Sequence, residues 1–282
     1  METNMSIHSV NDLAAPSYSH AFNGALSLED LRTRTPAVFA ESASERTKKA
    51  YKFISSAEVV RALMDAGFEP SAARQTRSRR GSDPIHARHM IRLRHARETI
   101  SIADSIGEIC LINAHDGTSA YQLLAGLYRP VCTNGLLCRM GDFAMIRVPH
   151  RSSVAADVVA GALAITAQFG EIRTRVEGMA ARELTDVEQL KFADEAFEIR
   201  YANVEQPPAF AAERLLEARR SADAGSSLWL TYNRLQLSVV AGGLAYHSRS
   251  RRLVSMRRIH SIRENIRVNV ALWQAACRYL AA

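Results

Sequence analysis

The hydrophobic period of this chain changes near residue 150, and that change limits the architecture more than any other feature. In 85–97 the odd positions carry Ile85, Ala87, His89, Ile91, Leu93 and His95, while the even ones include His86, Arg88, Arg92 and Arg94. A period of two belongs to a strand with one buried face, so an arginine ladder facing water is expected there. Ile109-Cys110-Leu111-Ile112 is a continuous apolar run, as a central strand needs, and Phe143 to Val148 suggests another strand. Between them, Asn113 to Gly135 is dense in Gly, Asn, Asp and Thr, which predicts turns and a site in place of regular structure.

From Val154 the spacing is helical. Val154, Val158, Ala162, Ile165 and Phe169 form one stripe, and Leu190, Ala193, Phe197 and Tyr201 another. Thr185 with Glu188 and Ser261 with Glu264 have capping-box spacing, as do Ser55 and Glu58 ahead of a helix predicted from Ala57 to about Ala66. Further helices are expected through Phe210, Leu215 and Leu216, and from Leu228 to Val240, where Gly242-Gly243 stops the run. The fold class is therefore α+β: a strand-rich part over 26–151 with a mainly antiparallel sheet, and a helical part over 152–282, packed as one unit. Residues 1–25, rich in Ser, Asn and Ala, read as a mobile arm. With 47% apolar residues the chain can bury a sizeable core.

Four cysteines, Cys110, Cys132, Cys138 and Cys277, lack paired metal or redox spacing, and no stretch of 18 apolar residues or leader-like start is visible. A cytoplasmic protein with reduced thiols and no membrane partner is the expectation. The formal net charge is +7, and arginine supplies 32 of 36 basic residues. From Arg74 to Arg97 there are eight arginines and one acid, and from Arg249 to Arg267 seven arginines and one acid. The remainder is net acidic, so two basic patches on an acidic body are predicted.

Those patches supply the expected polyanion contacts. Arg74, Arg77, Arg79, Arg80, Arg88, Arg92, Arg94 and Arg129 belong to the first half, and Arg249, Arg251, Arg252, Arg257 and Arg258 to a loop or hairpin of the second. Guanidinium forks suit phosphate, and each phosphate contact releases counterions. Tyr121, Tyr128 and Tyr246 are the aromatics expected to stack on bases. The competing reading is a solvated face whose charges meet acids of the helical half. The string Asn113-Ala114-His115-Asp116-Gly117-Thr118-Ser119 admits two readings. In one, His115 and Asp116, with His89 and His150, form a catalytic or metal-binding group. In the other, Asp116-Gly117 turns the chain and Thr118 and Ser119 satisfy its backbone. No phosphate-binding Gly-Lys loop, dinucleotide fingerprint or serine elbow is present, and no cofactor or bound metal is expected.

Further strings carry a family resemblance. Pro36-Ala37-Val38-Phe39-Ala40, His89-Met90-Ile91-Arg92-Leu93-Arg94, the run from Asn113 through Leu123, Arg129 with Cys132-Thr133-Asn134-Gly135, Arg219-Arg220 with Asp223, Tyr232-Asn233-Arg234 and Asn269 with Leu272-Trp273 resemble the family catalogued as domain of unknown function 932. The similarity spans about 26–280. That family has no settled activity. The resemblance implies a protein borne by plasmids and prophages, in settings near single-strand-binding and antirestriction functions. Where the family usually has Gln-Glu-Asn, Gln236 is followed by Leu237 and Ser238.

The expectation that follows is a sequence-nonspecific DNA-binding protein of a mobile element, preferring single strands, in replication, recombination or establishment. The alternatives are a metal-dependent nuclease or hydrolase centred on His115 and Asp116, and an inhibitor of a host restriction enzyme or nuclease. Self-association is left open.

Overall fold

The structure, a computed structural model, describes residues 25–48, 51–76, 83–96, 100–103, 105–129, 135–138, 146–148 and 153–281. The mobile arm expected over 1–25 lies, but for its last residue, outside the described residues.

One antiparallel sheet organises the first half. After a short helix, α1 (Leu28–Arg34), its strands are β1 (Phe68–Gln75), β2 (His89–His95), β3 (Ser101–Ile102), β4 (Ser105–Asn113), β5 (Tyr121–Tyr128), β6 (Gly135–Cys138) and β7 (Ile146–Val148). The order is β1-β2-β4-β5-β6, with β3 on β4 and β7 pairing a second length of β5. Pro70 sits on the edge strand β1 beside an irregularity in its register with β2, the place a strand proline is tolerated.

Strand alternation and register sort the side chains into two faces. Ile91, Leu93, Ile109, Leu111, Leu123 and Leu127 enter the main core, beneath the helices α2 (Ser56–Asp65) and α3 (Val154–Ala167). Met90, Cys110, Ile112 and Leu124 point the other way and meet Ile262, Ile266 and Val270, which lie on the last helix, α7 (Ile262–Ala281). Both faces of the sheet are therefore dry at its centre. This corrects the expected arginine ladder facing water, because Arg92 is only 5% exposed. Alternation identifies two faces and is silent on whether a distant helix covers the second.

Three further expectations are corrected. The stretch 113–135 contains β5, buried along its whole length, and among the described residues its turn is at 114–120. Residues around Phe210 to Leu216 form a short 3-10 turn, Ala212–Leu216, and no α-helix. The strand expected over 85–97 is shortened to β2 by a 3-10 turn at Pro84–His86.

The second half is helical as read: α3, α4 (Phe169–Ala181), α5 (Asp186–Tyr201), α6 (Leu228–Ala241) and α7. α5 opens on a full capping box at Thr185 and Glu188, whereas Ser55 makes no side-chain cap on α2. The basic segment after α6 is a hairpin, β8 (Ala245–His247) and β9 (Leu253–Ser255). Val154–Ala181 is long and apolar enough to cross a membrane by composition. Its stripe of Val158, Ala162, Ile165, Ile172 and Val176 is buried in a core that also includes Leu93 and Trp273.

α6 ends at Gly242, at φ +68° and ψ −146°, a region open essentially to glycine alone. A Cβ there would stand 2.4 Å from the Met256 carbonyl oxygen, so neighbouring backbone forbids a side chain as well. Gly242→Ala is expected to cost on the order of 2–4 kcal/mol, read as a lowered urea midpoint.

Candidate anion-binding cleft

The predicted site residues separate into three settings: a buried polar hub, two buried ion pairs and an arginine-lined cleft.

The hub centres on Ser56, whose hydroxyl oxygen lies 2.8 Å from His89 Nε2, 3.0 Å from His115 Nε2, 3.1 Å from Asn113 Nδ2 and 3.2 Å from the Tyr121 hydroxyl. All five residues are buried. The proton positions follow from chemistry. His89 Nδ1 is 3.1 Å from the Ala87 carbonyl, which can only accept, so Nδ1 carries the hydrogen and Nε2 accepts from Ser56. The two remaining lone pairs of Ser56 then accept from Asn113 and His115. Tyr121 donates to the Ile54 carbonyl at 3.0 Å. One hydroxyl thus ties the start of α2 to β2, β4 and β5.

His115 and Asp116 part company. His115 points into the hub, while Asp116 Oδ1 accepts from the Thr118 amide at 3.0 Å and the Thr118 hydroxyl at 2.6 Å, with Gly117 at φ +77°. This is the turn reading of the string. His89 joins His115 through Ser56 and lies apart from Asp116, and His150 lies outside the described residues. Among the described residues no cluster of three metal-ligating side chains occurs.

The ion pairs hold Arg92, Arg94 and Arg129. Glu108, 1% exposed, receives Arg92 Nε at 2.8 Å and Arg94 Nε at 2.6 Å, and Arg92 stacks over Tyr128 at 3.9 Å. Arg129 Nη1 meets the buried Asp223 at 2.8 Å, joining the end of β5 to the turn before α6. These guanidiniums hold the fold together. Tyr121 and Tyr128 are likewise engaged inside, and Tyr246 packs on Phe210 at 5.2 Å between ring centres, so the expected stacking aromatics are turned to internal contacts.

The cleft lies where α7 crosses the sheet beyond the apolar contact. It encloses about 520 Å³ and four arginines line it: Arg88, Arg147, Arg263 and Arg267. Its apolar wall is Leu124, Ile266, Val270 and Ala271, and Thr118, Gln122 and Gln274 add neutral polar groups. Among the described residues, no carboxylate is in the lining. Arg88 comes from the first basic segment, and Arg263 and Arg267 from the second, so the two segments meet here. Arg88 Nη2 donates to the Thr118 carbonyl at 3.2 Å, which places it by means of the Asp116 turn. Burial lowers the Arg88 guanidinium from its ordinary value, Asp116 pulls it back up, and the Arg263 charge lowers it again. Arg267 forms a fork with Glu264 at 2.6 and 2.9 Å. Among the described residues, Arg147 and Arg263 have no carboxylate partner.

A cationic track continues from the cleft. Arg200 neighbours Arg267 and donates to the Arg257 carbonyl at 3.0 Å. Arg249, Arg251 and Arg252 are exposed at the tip of the β8–β9 hairpin, Arg257 is exposed, and Arg258 is half-buried. Arg74 is half-buried on β1, and Arg77, Arg79 and Arg80 lie outside the described residues. Sequence reasoning named Arg88 and missed Arg147, Arg263 and Arg267 as individual contacts. The signal for the last two was their spacing of four, which puts both on one face of a helix with Ile266 and Val270.

Two predictions follow from these buried groups. Glu108→Gln leaves Arg92 buried without its counter-charge and is expected to cost about 3–5 kcal/mol, measured by urea unfolding. Burial pushes His89 down to about 4 from an ordinary 6.5, so the unfolded chain binds a proton across that window and the folded one does not. The contribution is full above pH 6.5 and is lost as pH falls toward 4, by on the order of 3 kcal/mol. Unfolding free energies at steps through this range should show the slope, and His89→Asn should flatten it.

A family model described as Domain of unknown function (DUF932) matches residues 44–273. The UPF0380 proteins YafZ and YfjQ of Escherichia coli (strain K12) are each 34% identical to this chain over 251 residues, covering 89% of it and 90% of their own length. No solved structure matches the chain.

Proposed function

The chain belongs to the DUF932 family, and from its cleft we propose that it binds nucleic acid through the phosphate backbone, without sequence preference and with single strands favoured. The observation that carries this reading is the meeting of Arg88, Arg147, Arg263 and Arg267 in one concavity of about 520 Å³ whose lining holds no acid among the described residues. Cations crowd at a cost unless an anion joins them, and guanidinium forks match phosphate oxygens in pairs.

The size of the concavity favours one strand, since a duplex presents its phosphates on a broad convex surface. The apolar wall of Leu124, Ile266 and Val270 can shelter a base or sugar, while the track past Arg200 and Arg257 offers further phosphate contacts. A role in replication, recombination or establishment of a mobile element suits such binding and is part of the proposal.

Fluorescence anisotropy with labelled single- and double-stranded oligonucleotides across a salt series tests it. The double variant Arg147→Ala, Arg263→Ala should bind single strands at least tenfold more weakly, and the slope of log affinity against log salt should shrink by about 1.4, two contacts at about 0.7 each. Both side chains are exposed or partnerless among the described residues, so the unfolding midpoint should hold. Salt-independent binding, or none at low salt, contradicts the reading.

A further inference from the structure

We propose that the cleft is a receptor for a terminal phosphomonoester, the dianionic end group of a nucleotide or nucleic-acid strand, with the strand's internal phosphodiesters running out along the neighbouring track. This rests on the nucleic-acid reading and deepens it. Charge matching is the first argument. Among the described residues, two carboxylates stand beside the four lining arginines: Glu264, forked by Arg267, and Asp116, the neighbour of Arg88. Four guanidiniums less two carboxylates leaves two positive charges at one spot. An internal phosphodiester brings one negative charge, whereas a phosphomonoester carries about 1.5–2 near neutral pH.

The second argument is the directions from which the arginines arrive. Arg147 stands on β7 opposite Gln122 of β5, Arg88 enters from the segment before β2, and Arg263 and Arg267 come from successive turns of α7. Donors from three elements converge on a volume, which suits the three outward oxygens of a terminal phosphate. A backbone passing through in extended form would be served better by a line of cations, and such a line is what Arg200 and Arg257 begin. The apolar wall then lies where the attached sugar and base would rest, with the Gln122 and Gln274 amides and the Thr118 hydroxyl in reach of their polar edges.

One oligonucleotide sequence bearing a 5′-phosphate, a 3′-phosphate or hydroxyl ends is titrated against the wild type, Arg147→Ala with Arg263→Ala, and Arg263→Lys. Nucleoside monophosphate and sulfate serve as competitors. A phosphate on one end should tighten binding at least tenfold. The double alanine variant should lose that increment, and Arg263→Lys, which keeps the charge and loses the fork, should lose part of it, with unfolding midpoints unchanged. Competition by the monophosphate at concentrations where sulfate is inert identifies a free nucleotide as an equal ligand and supports the same site. Equal, salt-dependent binding of phosphorylated and hydroxyl-ended strands, with the monophosphate no better than sulfate, overturns the terminal-phosphate site while the nucleic-acid reading stands. Binding of the monophosphate without any strand affinity removes the nucleic-acid reading and keeps the site. Binding of neither removes both.

Discussion

The contact on which the molecule turns is the laying of α7 across the second face of the sheet. Ile262, Ile266 and Val270 against Met90, Cys110, Ile112 and Leu124 form a small apolar patch, but its position decides the fate of the charges around it. Farther along β2 and β4 from the patch, the polar residues satisfy one another, and Glu108 is drawn between Arg92 and Arg94. On the other side, α7 and the strand ends leave a cleft, where Arg147 and Arg263 are exposed. One packing event sorts the arginines into those that hold the fold and those that are left to bind.

That sorting explains what the amino-acid sequence shows and what it hides. The change of period, the capping box at Thr185, the glycine stop after α6 and the hairpin in the second basic segment are local features, readable because each is decided within a few residues. Met90 shares its apolar cluster with Ile266, 176 positions away in a chain of 282, and no periodicity carries that information. β5 was hidden for a different reason. Its ends are flanked by turn residues, and the density of Gly, Asn and Thr across 113–135 masked eight buried residues in the middle. The two basic segments were visible as charge, and their meeting at Arg88 and Arg263 depended on the same long-range contact. Arg147, a single arginine on a short strand, gave no local sign of its place.

The hub at Ser56 performs a related task on the opposite face. A helix start placed against a sheet leaves amide and imidazole groups without water, and burial demands that each find a partner. Ser56 gives one hydrogen and accepts two, which satisfies His89, Asn113 and His115 together and fixes the strand ends from which the Asp116 turn emerges. That turn carries the Thr118 carbonyl to Arg88. The string that looked like a catalytic group in the sequence is thus a brace, linking a buried network to one lining arginine of the cleft.

Hydrogen exchange with and without a saturating single-stranded oligonucleotide tests most directly whether α7 and the sheet together form the binding surface. Added protection should concentrate in the first three turns of α7 and at the ends of β5 and β7, with the Ser56 hub already slow in the unbound protein. Protection confined to the β8–β9 hairpin, or absent from α7 while the strand is bound, would contradict the account.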